Sequence, residues 1–195
     1  MKDILNDKAT LRSHLLHARS QLGIEERASA GRVLSGALLA LPEVRAAGTI
    51  AAYVPVGSEP GPRELAEELS RGPARRVLLP VLLADNDLDW ALYEGPQSLV
   101  RATRGLREPV GRRVGPDAVG AADVLVVPGL AVDGRGLRLG RGGGSYDRAL
   151  ARVGSSAVTI VLLYDGEVLD HVPAEPHDRP VDIAVTPAAV HRFGR

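Results

Sequence analysis

Residues 136–150 read GLRLGRGGGSYDRAL, with glycine at 136, 140, 142, 143 and 144 and Arg138, Arg141 and Arg148 set among them. Glycine has no Cβ to hold a ligand away, and it reaches backbone conformations closed to other residues. Consecutive N–H groups in such a stretch can curl around an oxyanion. A helix that follows adds its unpaired N–H groups and a partial positive charge. Gly140, Gly142, Gly143 and Gly144 suit a cradle of this kind, and Arg138 and Arg141 can add charge-assisted contacts to phosphate oxygens. The alternative is a surface turn with incidental charges; the residue types favour the anion site. Asp147 falls one turn into the helix expected from Ser145. A carboxylate there suits a Mg2+ ion that bridges phosphates, because Mg2+ takes one or two carboxylates beside phosphate oxygens. Taken alone, Asp147 reads more simply as an acidic residue complementing the helix dipole.

The standard nucleotide motifs are missing. A Walker A loop needs a lysine after its last glycine, and the chain has no lysine beyond Lys8. The spacing also fails the G-x-G-x-x-G fingerprint. The chain has no cysteine, which removes disulfides, zinc-thiolate sites, iron–sulfur clusters and thiol catalysis together. His14, His17, His171, His177 and His191 form no zinc-binding pattern, and surface positions are expected for them. The 24 basic residues balance 24 acidic ones, so a general nucleic-acid binder is not expected. Aromatics make up 3% of the chain, too few for base-stacking platforms. The first residues, MKDILNDKATLRSHLL, lack the apolar run of a signal peptide, and no stretch approaches the roughly 20 apolar residues of a membrane span. A soluble cytoplasmic monomer with no membrane or nucleic-acid partner is the expectation.

The elements that would position these residues can be read from periodicity. DKATLRSHLLHARSQL carries Leu11, Leu15, Ala18 and Leu22 at helical spacing, with Lys8, Arg12 and Arg19 along one edge of the stripe. A second helix runs through EERASAGRVLSGALLAL, with Leu34, Ala37, Leu38 and Leu41 on one face and Pro42 as its stop. GTIAAYVPV, RRVLLPVLL, ADVLVVPGLAV, SAVTIVLLY and DIAVT read as strands. LDWALY alternates and reads as an antiparallel or edge strand, where Trp90 and Tyr93 are expected to pack rather than stack on a ligand. GPRELAEELSRG and SYDRALARV read as helices. Residues 94–122 are rich in Gly, Pro and Arg and read as long loops; Arg112 and Arg113 there are expected to be solvated. Strands alternating with helices predict an α/β domain with a mainly parallel sheet covered on both faces. In such sheets ligands sit beyond the carboxyl ends of the strands, where the glycine stretch lies.

PGLAVDGRGLRLGRGGGSYDR, residues 128–148, resembles the signature of the 5-formyltetrahydrofolate cyclo-ligase family. Other marks of the family recur in order: Lys8 and Arg12 as Lys-x-x-x-Arg, YVPVGSE at 53–59, GLREP at 105–109 and EPHDRPVDIAVT near the end. The resemblance covers nearly the whole chain. It implies a single three-layer α/β/α domain over residues 1–195, like that of the CoA transferases and certain sugar-phosphate isomerases. It implies an ATP- and Mg2+-dependent ring closure that yields 5,10-methenyltetrahydrofolate, ADP and phosphate. Carried over by position, Lys8, Arg12 and the run Arg138, Leu139, Gly140, Arg141, Gly142, Gly143, Gly144, Ser145 and Tyr146 match the ATP contacts. Arg138, Arg141 and Tyr146 are the candidate catalytic groups. Asp147 and Asp178 match the metal carboxylates. Val54, Glu59 and the overlapping run from Arg141 to Ser145 match the folate contacts. A carboxylate suits the adjacent N–H donors of a pterin. The chain departs from the family at Ser145, where a tyrosine is usual, and at Val132, where a phenylalanine is usual and a pocket wall would change. Two other readings are an isomerase or acyl transferase acting on a phosphorylated metabolite, and a non-catalytic nucleotide-binding module.

Overall fold

The computed structural model describes residues 7–72, 74–175 and 178–194. Asp7 opens the first helix, α1 (Lys8–Gln21), by accepting the Thr10 N–H on its carboxylate at 2.8 Å. Gly23 precedes α2 (Ile24–Ala40), and the Glu26 side chain reaches back to the Gly23 N–H at 2.8 Å. Pro42 begins the short α3 (Pro42–Ala46), where its missing N–H costs nothing.

The chain then enters a sheet of seven strands. In chain order they are β1 (Thr49–Ala52), β2 (Arg76–Leu82), β3 (Leu88–Leu92), β6 (Val124–Pro128), β9 (Val158–Leu162), β11 (Ile183–Val185) and β12 (Val190–Arg192), in the spatial order β12-β11-β9-β6-β1-β2-β3. The five inner strands run parallel; β3 and β12 close the two edges antiparallel. LDWALY is therefore an edge strand, as its alternation predicts.

Side chains alternate between the two faces. Ile50, Ala52, Val124, Val126, Ile160 and Leu162 pack with Leu34 and Leu38 of α2 and with Leu65 and Leu69 of α4 (Leu65–Ser70). Ala51, Leu125, Val127 and Val161 pack the other way, against Ala149 and Leu150 of α5 (Ser145–Arg152) and against Trp90, which is fully buried. The result is the expected three-layer α/β/α arrangement.

A second sheet of three short strands has the order β10-β7-β8, made by β7 (Ala131–Asp133), β8 (Arg138–Leu139) and β10 (Val168–Leu169). It packs beneath α1 through Leu11, Leu15, Leu130 and Leu139. The glycine stretch thus leaves a small hairpin, not the end of the central strand directly.

Two expectations change. The buried stripe of α1 is Leu11, Leu15 and Arg19, while Ala18 is exposed. The Arg19 guanidinium donates to both oxygens of Glu167 at 2.7 Å and to the Gly129 carbonyl at 2.6 Å, so this arginine belongs to the core and not to a ligand-facing edge. Residues 94–122 also hold more order than their composition suggests. They contain a ribbon of β4 (Leu99–Arg101) with β5 (Arg107–Pro109) and three 3-10 turns.

Candidate functional site

One cavity of about 320 Å³ opens at the carboxyl ends of β1, β2 and β6. Residues after β1 supply Val54, Val56 and Glu59, and the glycine stretch supplies Arg138 and residues 140–147. Of the residues singled out above, Lys8, Arg12, Leu139 and Asp178 are not in its lining. Leu139 is fully buried against Leu11 and Leu130, so only its backbone is available to a ligand.

Arg138 is built into a slot. A Cβ on Gly140 would stand 2.6 Å from its Nη1, and one on Gly129 would stand 3.2 Å from its Cγ and 2.6 Å from Val161 Cγ2. A side chain at Gly129 would meet Val161 and the Arg138 stem, and one at Gly140 would displace the Arg138 guanidinium. Within the slot, Nη2 donates to Asp147 Oδ1 at 2.6 Å and Nη1 to the Pro128 carbonyl at 3.0 Å. Its Nε is buried with no hydrogen-bond partner among the described residues. Burial lowers the guanidinium pKa below its ordinary value, the Asp147 and Asp178 carboxylates act against that, and the arginine stays charged.

Arg12, from α1, fastens the glycine loop. Its Nε donates to the Gly140 carbonyl at 2.8 Å, and its guanidinium lies beside Gly142, whose φ of +96° is a conformation that favours glycine. Gly144, also left-handed with φ of +71°, caps α5 and aims the helix N-terminus into the cavity. Lys8 donates to Asp178 at 2.7 Å and lies 3.3 Å from Glu175.

Glu59 stands across the cavity. Its Oε2 accepts the Val56 N–H at 3.1 Å, and its Oε1 lies 3.2 Å from Arg141 Nε. Burial pushes its carboxyl above the usual range, against the Val56 N–H and the Arg141 charge. Tyr146 is a cavity residue that also packs against both cores. Burial, then the Glu59 charge, drives its phenol pKa upward, so it remains an O–H donor.

The far wall was not legible as a site. It is formed by Leu82, Asn86 and Leu88 of the β2–β3 hairpin and by Leu106, Arg107 and Glu108 of the ribbon. Glu108 accepts the Leu82 N–H at 2.9 Å and so joins the two. Only GLREP hinted at this wall. Asp87, beside Asn86, receives both guanidinium nitrogens of Arg152 at 2.8 and 2.7 Å, which ties the hairpin to the last turn of α5. Val132 is fully buried in the core and does not reach the cavity, whereas Ser145 does. Trp90 is core, and Arg112 and Arg113 are exposed. His177 lies outside the described residues.

A sequence model of the 5-formyltetrahydrofolate cyclo-ligase family matches residues 4–187. The chain belongs to the 5-formyltetrahydrofolate cyclo-ligase family. It is 44% identical to the 5-formyltetrahydrofolate cyclo-ligase of Mycolicibacterium smegmatis over 92% of this chain and 93% of that one. The Escherichia coli K12 cyclo-ligase is 32% identical over 88% of this chain and 96% of its own. The solution structure of Aquifex aeolicus 5,10-methenyltetrahydrofolate synthetase superposes with a TM-score of 0.82 at 33% identity, covering 96% of this chain and 94% of that one. Membership makes the chain an enzyme, a ligase of folate one-carbon metabolism that converts 5-formyltetrahydrofolate to 5,10-methenyltetrahydrofolate. The isomerase, acyl-transferase and non-catalytic readings give way to it.

Proposed function

We propose that the cavity carries out that conversion with ATP as co-substrate and Mg2+ as metal, in a monomeric, cytoplasmic protein whose residues 1–195 act as one domain. The observation that carries the reading is the placement of the glycine cradle with Arg138 and of Glu59 in the same cavity. A phosphoryl donor and a pterin bound to them would meet between the two. Among the described residues no helix is long and apolar enough to cross a membrane.

The donor set fits a metal of this kind. Among the described residues no group of three His, Asp or Glu could hold an ion by itself. Asp147 bonds Arg138 and the Asp178 charge also reaches it, so both carboxylates border the cation that would meet the phosphates. Mg2+ bound by one or two carboxylates is completed by phosphate oxygens and water. In that role it would neutralise charge on the transferring phosphoryl group.

The formyl oxygen attacks the γ-phosphorus, the bond to the bridging oxygen breaks, and ADP leaves. The neighbouring folate nitrogen then closes on the activated formyl carbon, loses its proton and expels phosphate. Phosphoryl transfer asks the protein for positioning and charge more than for a nucleophile. Arg138, held by Pro128 and Asp147 at the cavity wall, would meet an anion there without first having to be ordered. The N–H groups of residues 142–144 and the start of α5 add a fixed positive end. Lys8 and Arg12 hold the loop and its acidic neighbour in place. Glu59 and Val54 receive the pterin, and Tyr146 offers an O–H donor that does not ionise.

The test mixes the protein with 5-formyltetrahydrofolate and MgATP and follows the near-ultraviolet absorbance of the methenyl product together with ADP. Both should rise together and only with Mg2+. ADP without methenyl product, or product without Mg2+, overturns the reading.

A further inference from the structure

Glu59 is assigned above to folate and Arg141 to both ligands, yet the two are paired with each other. Both oxygens of Glu59 are engaged, one by Val56 and one by Arg141, and its side chain is only 10% exposed. The guanidinium on the Oε1 edge competes with a pterin donor for that oxygen. Arg141 differs from the other cations of the loop. Arg138 is 4% exposed and held by two partners, and Arg12 is fixed to Gly140. Arg141 is 50% exposed, so its side chain can swing without moving the loop that Arg12 fastens. Its one ion pair among the described residues, at 3.2 Å and open to water on one side, is weak. A triphosphate offers the same guanidinium several anionic oxygens and two-point geometry. The stronger partner wins the arginine.

We infer that Arg141 is a switch between the two subsites: it covers Glu59 without nucleotide, and it turns to the phosphates when nucleotide binds, which uncovers Glu59 for the pterin. The inference rests on the cyclo-ligase reading of the cavity. Nucleotide and folate then bind with positive coupling, and linkage requires each to tighten the other by the same factor. The coupling also biases binding toward complexes in which the donor phosphate is already in place.

The test measures the Kd of 5-formyltetrahydrofolate by calorimetry, with and without the Mg2+ complex of a non-hydrolysable ATP analogue. In the wild type the analogue should lower that Kd about 5- to 10-fold, within the range of ordinary coupling. In Arg141→Gln, which leaves Glu59 uncovered, the nucleotide-free Kd should fall below the wild-type value, and the analogue should no longer change it. Arg141→Lys keeps the charge and should restore part of the coupling; a merely structural arginine would not show this rescue. An unchanged wild-type Kd, or full coupling in Arg141→Gln, overturns the switch while leaving the cyclo-ligase reading intact. Failure of the wild type to bind either ligand overturns the reading and the switch with it.

Discussion

Two arginine–glutamate pairs in this molecule use the same chemical groups in opposite ways. Arg19 and Glu167 are 1% and 7% exposed and meet through two bonds of 2.7 Å. The same guanidinium bonds the Gly129 carbonyl and stacks 5.4 Å from the Tyr164 ring, and Glu167 also accepts the Tyr164 N–H at 2.8 Å. Arg141 and Glu59 share one contact, and half of the arginine side chain faces water. In the first pair every loss leaves a buried charge without compensation. In the second, water or a ligand replaces what is lost. The number of satisfied donors, and not the identity of the residues, separates a structural knot from an adjustable contact.

The sharpest way to break the comparison is Glu167→Ala. It strands the Arg19 guanidinium and should cost about 3–5 kcal/mol of stability, read from denaturant midpoints. A loss below about 1 kcal/mol would put the knot in the class of surface pairs. Asp147→Asn comes next. Folding should be retained, while kcat falls about 100- to 1,000-fold as the phosphate end loses a charged group; normal turnover at ordinary Mg2+ would remove Asp147 from the metal. Glu59→Ala should raise the folate KM about tenfold, the worth of one charged hydrogen bond, with the ATP KM little moved. An equal rise for both would make Glu59 structural.

Arg141→Gln should change stability least, by no more than about 1 kcal/mol. It should instead show in pH dependence. Burial holds the Glu59 carboxyl above its ordinary value of 4.5, with Val56 and Arg141, and more distantly Arg19, acting to lower it. On acidification Glu59 therefore takes its proton earlier than an exposed carboxylate, and folate affinity should fall at a pH above that ordinary value. Without Arg141 the fall should move to still higher pH. A fall at unchanged pH would mean that Arg141 does not act on Glu59.

The contrast also explains what could be read from the sequence. The parallel sheet was legible because its inner strands, such as Val124–Pro128 and Val158–Leu162, are continuous apolar runs. The half of the cavity built on the glycine stretch was legible because Arg138, the glycines and Asp147 are contiguous. Arg19 was not. It sits at the i+4 position after Leu15, and a count of apolar residues passes over a buried cation whose partner is 148 positions away. The ribbon of residues 99–101 and 107–109 was read as loop because three residues are too few for alternation to register. The cavity wall at Leu82, Asn86 and Leu88 escaped notice for a different reason. Those side chains are ordinary, and only the hairpin's docking on α5 makes them a wall.

That docking has a mechanical meaning. α5 begins at the glycine cradle, and its last turn grips the β2–β3 hairpin through the two-point bond between Arg152 and Asp87. The helix is eight residues long, so floor and side wall are joined by a stiff strut of about 12 Å. The cavity mouth has one fixed jaw. A molecule that does not match that jaw meets a wall braced from α5, so discrimination there goes by shape.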